Sequence, residues 1–158
     1  MLATVDCVIE VPGGIVLVRR KHPPEGWALP GGFVEDHESS EEAAVREAAE
    51  ETGLAVRLSG LLGVYSGPNR DPRGATLTVV YIAQADGEPQ GGDDAAVAAV
   101  FDPRALPRPM AFDHERIVSD YLAHKGKTRS AQVRTVAAAA GLVGVAAALQ
   151  SFAGRRKA

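Results

Sequence analysis

The segment from Ser39 to Gly53 (SSEEAAVREAAEETG) constrains this chain more than any other. Ser39 and Glu42 have the spacing of a capping box, in which each side chain satisfies a backbone N–H left free at a helix start. Residues 40–52 contain neither proline nor glycine, and Gly53 stands where a left-handed C-terminal cap belongs. The spacing predicts a helix over 40–52. Glu47, Glu50 and Glu51, at i, i+3 and i+4, share one flank of it, and Ala44, Val45, Ala48 and Ala49 are expected to pack on a sheet. Like charges at this spacing destabilise a helix, so something must offset their repulsion. A hard divalent cation is the natural candidate, because magnesium takes oxygen ligands and keeps waters for a phosphate substrate. Arg46 can neutralise part of the cluster. Glu38, at the helix entrance, meets the positive end of the dipole or pairs with Arg46. A solvated acidic face is the alternative. Gly31-Gly32 just upstream, whose backbone can approach a ligand closely, favours the metal.

The remaining pattern is rich in strands. Residues 3–10 read as a strand, Pro12-Gly13-Gly14 as a turn and Ile15 to Arg19 as the returning strand. A proline- and glycine-rich loop follows from Lys21 to Trp27. Leu54 to Tyr65 is apolar and β-rich, with Gly60 and Gly63 marking a bulge or bend. Ala75 to Ala83 and Val97 to Phe101 read as further strands, and Asp113 to Ala123 as a second helix. Strands mixed with two helices indicate an α/β sandwich. We place the domain at 1–124. The stretch from 125 to 158 is a basic, linker-like start followed by an alanine-rich segment, expected to be helical and to pack on the domain or on a partner. That apolar run is shorter than the ~20 residues a membrane-spanning helix needs. Extended to Gly154 with its basic flanks, it makes a weak membrane tether the minority alternative, and disorder is a third.

A net charge of −3 over 158 residues argues against a nucleic-acid backbone as the main partner. The lone Cys7 sits in an apolar run and is expected to be buried; with no second cysteine, the chain suits a reducing, cytoplasmic compartment. Met1 to Glu10 has no basic start and does not read as a signal peptide. His22, His37, His114 and His124 show no metal-ligand spacing, and His114 is expected to cap or pack its helix.

Gly32, five residues, Glu38, seven residues, then Arg46-Glu47-Ala48-Ala49-Glu50-Glu51-Thr52-Gly53-Leu54 resembles the signature box of the Nudix hydrolases. The resemblance implies an α/β/α sandwich with a mixed sheet, the box forming a loop-helix-loop. It implies magnesium or manganese held by Glu47, Glu50 and Glu51 with the Gly31 carbonyl, Arg46 belonging to the same catalytic group, and Glu50 orienting the attacking water. Relatives often dimerise, so a homodimer is expected. Three further stretches, Trp27 to Glu35, Gly63 to Arg73 and Ala111 to Glu115, resemble prokaryotic ADP-ribose pyrophosphatases. The implied reaction is hydrolysis of ADP-ribose to AMP and ribose 5-phosphate, with nucleoside triphosphate pyrophosphohydrolysis as the alternative and a non-catalytic ADP-ribose sensor as a third reading. Arg70 and Arg73 can contact phosphate or ribose oxygens and Asn69 ribose hydroxyls, while Tyr65, Trp27 or Phe33 can stack on adenine. Arg19, Arg20 and Lys21 form a second cationic cluster. A solvated turn fits Asn69 to Arg73 as well, and core packing fits the aromatics. Glu88, Asp93 and Asp94 are the loop carboxylates open to a general-base role.

Overall fold

The computed structural model describes residues 1–92 and 95–128, with the side chains of residues 95 and 96 left aside. Among the described residues seven strands and two helices follow in the order β1 (Leu2–Val11), β2 (Gly14–Arg20), β3 (Trp27–Ala28), β4 (Gly31–Phe33), α1 (Ser40–Thr52), β5 (Arg57–Tyr65), β6 (Thr76–Gln84), β7 (Ala95–Phe101) and α2 (114–128). Residues Met1–Tyr121 form one compact unit; Leu122 onward belongs to a second, described only to residue 128. Lys125 and Lys127 continue α2 instead of opening a linker. The alanine-rich tail expected to be helical lies outside the described residues. Among the described residues no helix is long and apolar enough to cross a membrane.

The sheet is mixed. Its main path runs β3-β2-β1-β6-β5, with β4 paired to β1 and β7 to β2. β1 and β6 are parallel, and the other pairs are antiparallel. Strand β1 is central because both its faces are apolar. Val5, Cys7 and Ile9 pack with Ala43, Ala44 and Ala48 of α1. Val8, Ile15, Leu17 and Val80 are buried outside that cluster, as are Ile117, Val118 and Tyr121 of α2. The result is the expected α/β/α sandwich. Cys7 is buried, its thiol donates to the Ala44 carbonyl, and burial pushes its pKa up to about 12. Register shifts between Leu58 and Gly60 and between Leu61 and Gly63 mark the irregularities read from the two glycines.

One feature of the sheet creates the site. β1 pairs with β2 at its far end, through Glu10 and Val11, but with β4 at its near end, through Thr4, Val5 and Asp6. Between these pairings Cys7 N–H donates to the Pro30 carbonyl at 2.8 Å. The sheet therefore forks, and the gap between β2 and β4 becomes a cleft.

Candidate active site

Helix α1 is built as its sequence predicts. Ser39 and Glu42 form the reciprocal capping box, and Gly53 closes the helix at φ 68°. The buried face is Ala43, Ala44, Ala48 and Thr52, whereas Val45 and Ala49 are exposed. This corrects the expected apolar set: at about 100° per residue the packing face centres on 44, 48 and 52, turning 45 and 49 outward.

The same geometry aims the carboxylates. Glu47 and Glu51 line a cleft of about 570 Å³ together with Gly31, Gly32, Asp6 and residues of β2. Gly31 N–H donates to Glu51 Oε2 at 3.0 Å. A Cβ on Gly31 would run into the Val5 carbonyl and Asp6, and one on Gly32 into the Glu47 carboxylate. Only glycine lets the β4 backbone lie this close to both β1 and α1.

Arg46 organises the outer side of the cluster. It donates to Glu38 Oε2 at 3.0 Å through Nε, to Glu47 Oε1 at 2.8 Å and Glu50 Oε2 at 3.2 Å, and to the Phe33 carbonyl at 3.1 Å. Its hydrogen bond holds the Glu38 carboxyl down at about 2. Glu50, with half its side chain exposed, meets Arg46 at the rim and does not line the cleft.

Burial pushes Glu51 up to about 7; the neighbouring Glu47 adds to the rise and the Gly31 hydrogen bond opposes it. Burial also raises Glu47, against the pull of Arg46. Two carboxylates are thus held together where neither is comfortable as an anion, an arrangement relieved by a cation. Their donor atoms are all oxygens, as a hard divalent ion prefers. Among the described residues no three acidic, imidazole or thiol side chains converge enough to hold an ion alone. Glu47 and Glu51 are the α1 carboxylates that line the cleft beside the Gly31-Gly32 backbone.

The opposite wall is cationic and aromatic. Arg20, Arg73, Phe33 and Phe112 line it, with Asp71 alongside. Arg73 pairs with Asp71, donating from Nε to Oδ1 at 3.0 Å and from NH2 to Oδ2 at 2.8 Å among other hydrogen bonds. The floor holds a buried polar group. His114 Nδ1 accepts from Leu29 N–H at 2.9 Å, and its Nε2 lies 3.6 Å from Asp6 Oδ1. Burial pulls the imidazole pKa down, so it is neutral with its proton on Nε2 facing Asp6. Asp6 also accepts from Thr78 Oγ1 at 2.7 Å.

The expected substrate residues separate into two sets. Arg73 and Phe33 line the cleft. Arg70 turns inward instead: its side chain is 6% exposed, and it donates to both Asp113 oxygens and to Thr76 Oγ1. Tyr65 donates to Asp120 Oδ2, Trp27 packs edge-on against Phe101, and Arg19 lies over the Trp27 ring. Asn69 is exposed in its turn at φ 64°. None of these five lines the cleft. Glu88 is exposed outside it, and Asp93 and Asp94 lie outside the described residues. Asp6, Asp71 and Phe112 were not singled out by sequence. Asp6 carried a signal, being an acid inside a valine-rich strand buried on both faces.

The family model of the NUDIX domain matches residues 2–121. The chain belongs to the Nudix family. Among curated Nudix relatives, it is 52% identical over 124 residues to an ADP-ribose pyrophosphatase of Methanocaldococcus jannaschii, covering 77% of this chain and 73% of that one. It is 39% identical over 108 residues to a putative 8-oxo-dGTP diphosphatase of Bacillus subtilis, covering 68% and 70%. Among solved structures, the Nudix domain of Shewanella oneidensis NrtR complexed with ADP ribose superposes with a TM-score of 0.69 at 29% identity, covering 78% of this chain and 88% of that one. A bifunctional NMN adenylyltransferase/ADP ribose pyrophosphatase of Francisella tularensis, complexed with AMP and a manganese ion, gives 0.66 at 29% identity. That match covers 78% of this chain and 41% of the bifunctional one.

Proposed function

We propose that this Nudix hydrolase cleaves ADP-ribose to AMP and ribose 5-phosphate with magnesium or manganese bound. The observation that carries the reading is the two-sided cleft: buried Glu47 and Glu51 against the Gly31-Gly32 backbone on one wall, Arg20 and Arg73 with Phe33 and Phe112 on the other. A phosphoanhydride flanked by two organic groups needs both walls. The 52% identity to an ADP-ribose pyrophosphatase supports the choice of substrate.

A divalent cation held by Glu47 and Glu51 would neutralise the diphosphate and lower the pKa of a water. The chain's own residues do the rest. Glu47 and Glu51 supply carboxylate oxygens at the cleft wall. Arg46 holds Glu47 and Glu50 in place, and Glu50 at the rim orients the attacking water. His114 fixes the backbone at Leu29, two residues before Gly31, and so sets the loop against α1. Arg73 meets the phosphate oxygens, and exposed Phe33 offers a face to the adenine.

A homodimer and a cytoplasmic location belong to the same proposal; exposed Leu61 and Val64 on edge strand β5 support the dimer. Light scattering at the mass of two chains is the expected result.

The identity to a putative 8-oxo-dGTP diphosphatase favours one second reading, release of pyrophosphate from a nucleoside triphosphate. A product assay over a nucleotide panel, with and without magnesium, separates the two. AMP plus ribose 5-phosphate from ADP-ribose is expected. A monophosphate plus pyrophosphate, with ADP-ribose left intact, overturns the proposal.

A further inference from the structure

Phe112 stands out on the cationic wall because its backbone sits at φ 55°, a left-handed conformation that bulky side chains rarely adopt. Its neighbours hold it there. Ala111 N–H donates to the Trp27 carbonyl at 2.8 Å, and two residues on His114 is locked to Leu29 N–H. The Phe112 ring carries two guanidiniums: the Arg20 carbon lies 4.8 Å and the Arg73 carbon 5.1 Å from its centroid. Arg20 donates to the carbonyls of Pro24 and Pro23, neutral acceptors that do not cancel its charge. Burial, and after it the nearby Arg73, lower the Arg20 pKa, so the two cations feel each other.

A strained backbone and a half-buried cation hydrogen-bonded to neutral acceptors both cost free energy. Sites that keep such costs generally use them in binding. An anion reaching both guanidiniums gains two charge-assisted partners, and the ring's π-system holds both arginines in position.

We propose that Phe112 is a positioning residue that sets Arg20 and Arg73 as a two-arginine subsite for the phosphate groups of the substrate. The inference rests on the reading of the cleft as a phosphoanhydride site, but not on which nucleotide is cleaved. With two guanidiniums against its ring, Phe112 is not the platform for the base. Leucine at this position keeps apolar bulk and removes the ring's quadrupole, whereas tyrosine keeps it.

The test is calorimetric titration of the full chain with inorganic pyrophosphate in EDTA, so that no metal bridges the ligand, alongside steady-state kinetics on the cleaved nucleotide. Phe112→Leu is expected to weaken pyrophosphate binding roughly tenfold and to raise KM similarly at near-constant kcat. Phe112→Tyr is expected to stay near wild type. In an Arg20→Gln background, Phe112→Leu is expected to cost clearly less than in the wild type, because one of the two arginines it positions is gone. Wild-type binding by Phe112→Leu overturns the proposal. So does equal loss in Phe112→Tyr, additivity with Arg20→Gln, or absence of pyrophosphate binding by the wild-type chain. If ADP-ribose is not cleaved while these binding shifts appear, the proposed substrate fails and the subsite stands.

Discussion

Helix α1 and the loop at 66–74 each carry charged residues three or four positions apart, and they use that spacing differently. On α1 the regular backbone converts spacing into direction. Glu47 and Glu51 face the cleft, and Glu50, a turn edge away, stays at the rim with Arg46. In the loop, Arg70 and Arg73 part company. Arg70 buries itself against Asp113 and Thr76, while Arg73 pairs with Asp71 and reaches the cleft. Without a repeating backbone, an arginine goes where its carboxylate is. Function on the helix is written in periodicity, and function in the loop is written in tertiary partners.

The largest expected effect tests the helix side. Glu51→Gln should lower kcat by on the order of 10³-fold while the melting temperature holds or rises, because a buried carboxylate is replaced by an isostere. Turnover within a few fold of wild type would show that the inward direction of Glu51 carries no chemistry.

Next is the inward arginine. Arg70→Ala should cost about 3 kcal/mol of stability, read by urea denaturation, because it strands Asp113 and crowds Asp6 with no counter-charge. A mutant that is stable but binds nucleotide poorly would return Arg70 to the substrate and erase the contrast with Arg73.

A third effect reads the strain at Glu51 directly. Its folded pKa, about 7, lies above the ordinary 4.5, so between these values the folded chain binds more protons than the unfolded one. In EDTA, stability should therefore fall as pH rises from 4.5 to about 7, by about 2 kcal/mol. Glu51→Gln should flatten that slope, and divalent cation should restore stability at the upper end. A wild-type profile in EDTA as flat as the mutant's would remove the burial argument.

The smallest effect concerns the outward arginine. Arg73→Lys keeps the charge near Asp71 but loses the planar fork, so KM should rise roughly tenfold with stability nearly unchanged. Equal loss of stability in Arg73→Lys and Arg70→Ala would make the two loop arginines alike.

The same contrast explains how much was legible in the sequence. Helix α1, its caps and the bulged strand all follow from local rules, and they stand as read. The phase of the apolar face differs from the expected one at exposed Val45 and Ala49, because small and β-branched residues give a weak stripe. The fork at Cys7 was not legible, since it depends on which strand β1 pairs with at each end. The cleft's cationic wall was legible only in part. Arg20 appeared in the sequence as one of three adjacent basic residues; it lines the cleft with Lys21, and the pairing of Val18 and Arg19 with β3 sets Arg19 apart. Phe112 owes its role to a positive φ that residue type does not announce. Tyr65 and Trp27 satisfy aromatic and polar partners outside the cleft, as core aromatics commonly do.

The central claim is that Glu47 and Glu51, pressed against the Gly31-Gly32 backbone, exist to hold a divalent cation. Manganese titration of the wild-type chain and of Glu51→Gln, followed by calorimetry at neutral pH, tests it most directly. One site in the wild type, lost or weakened at least about tenfold in the mutant, is the predicted result. Equal manganese uptake by both proteins would contradict it.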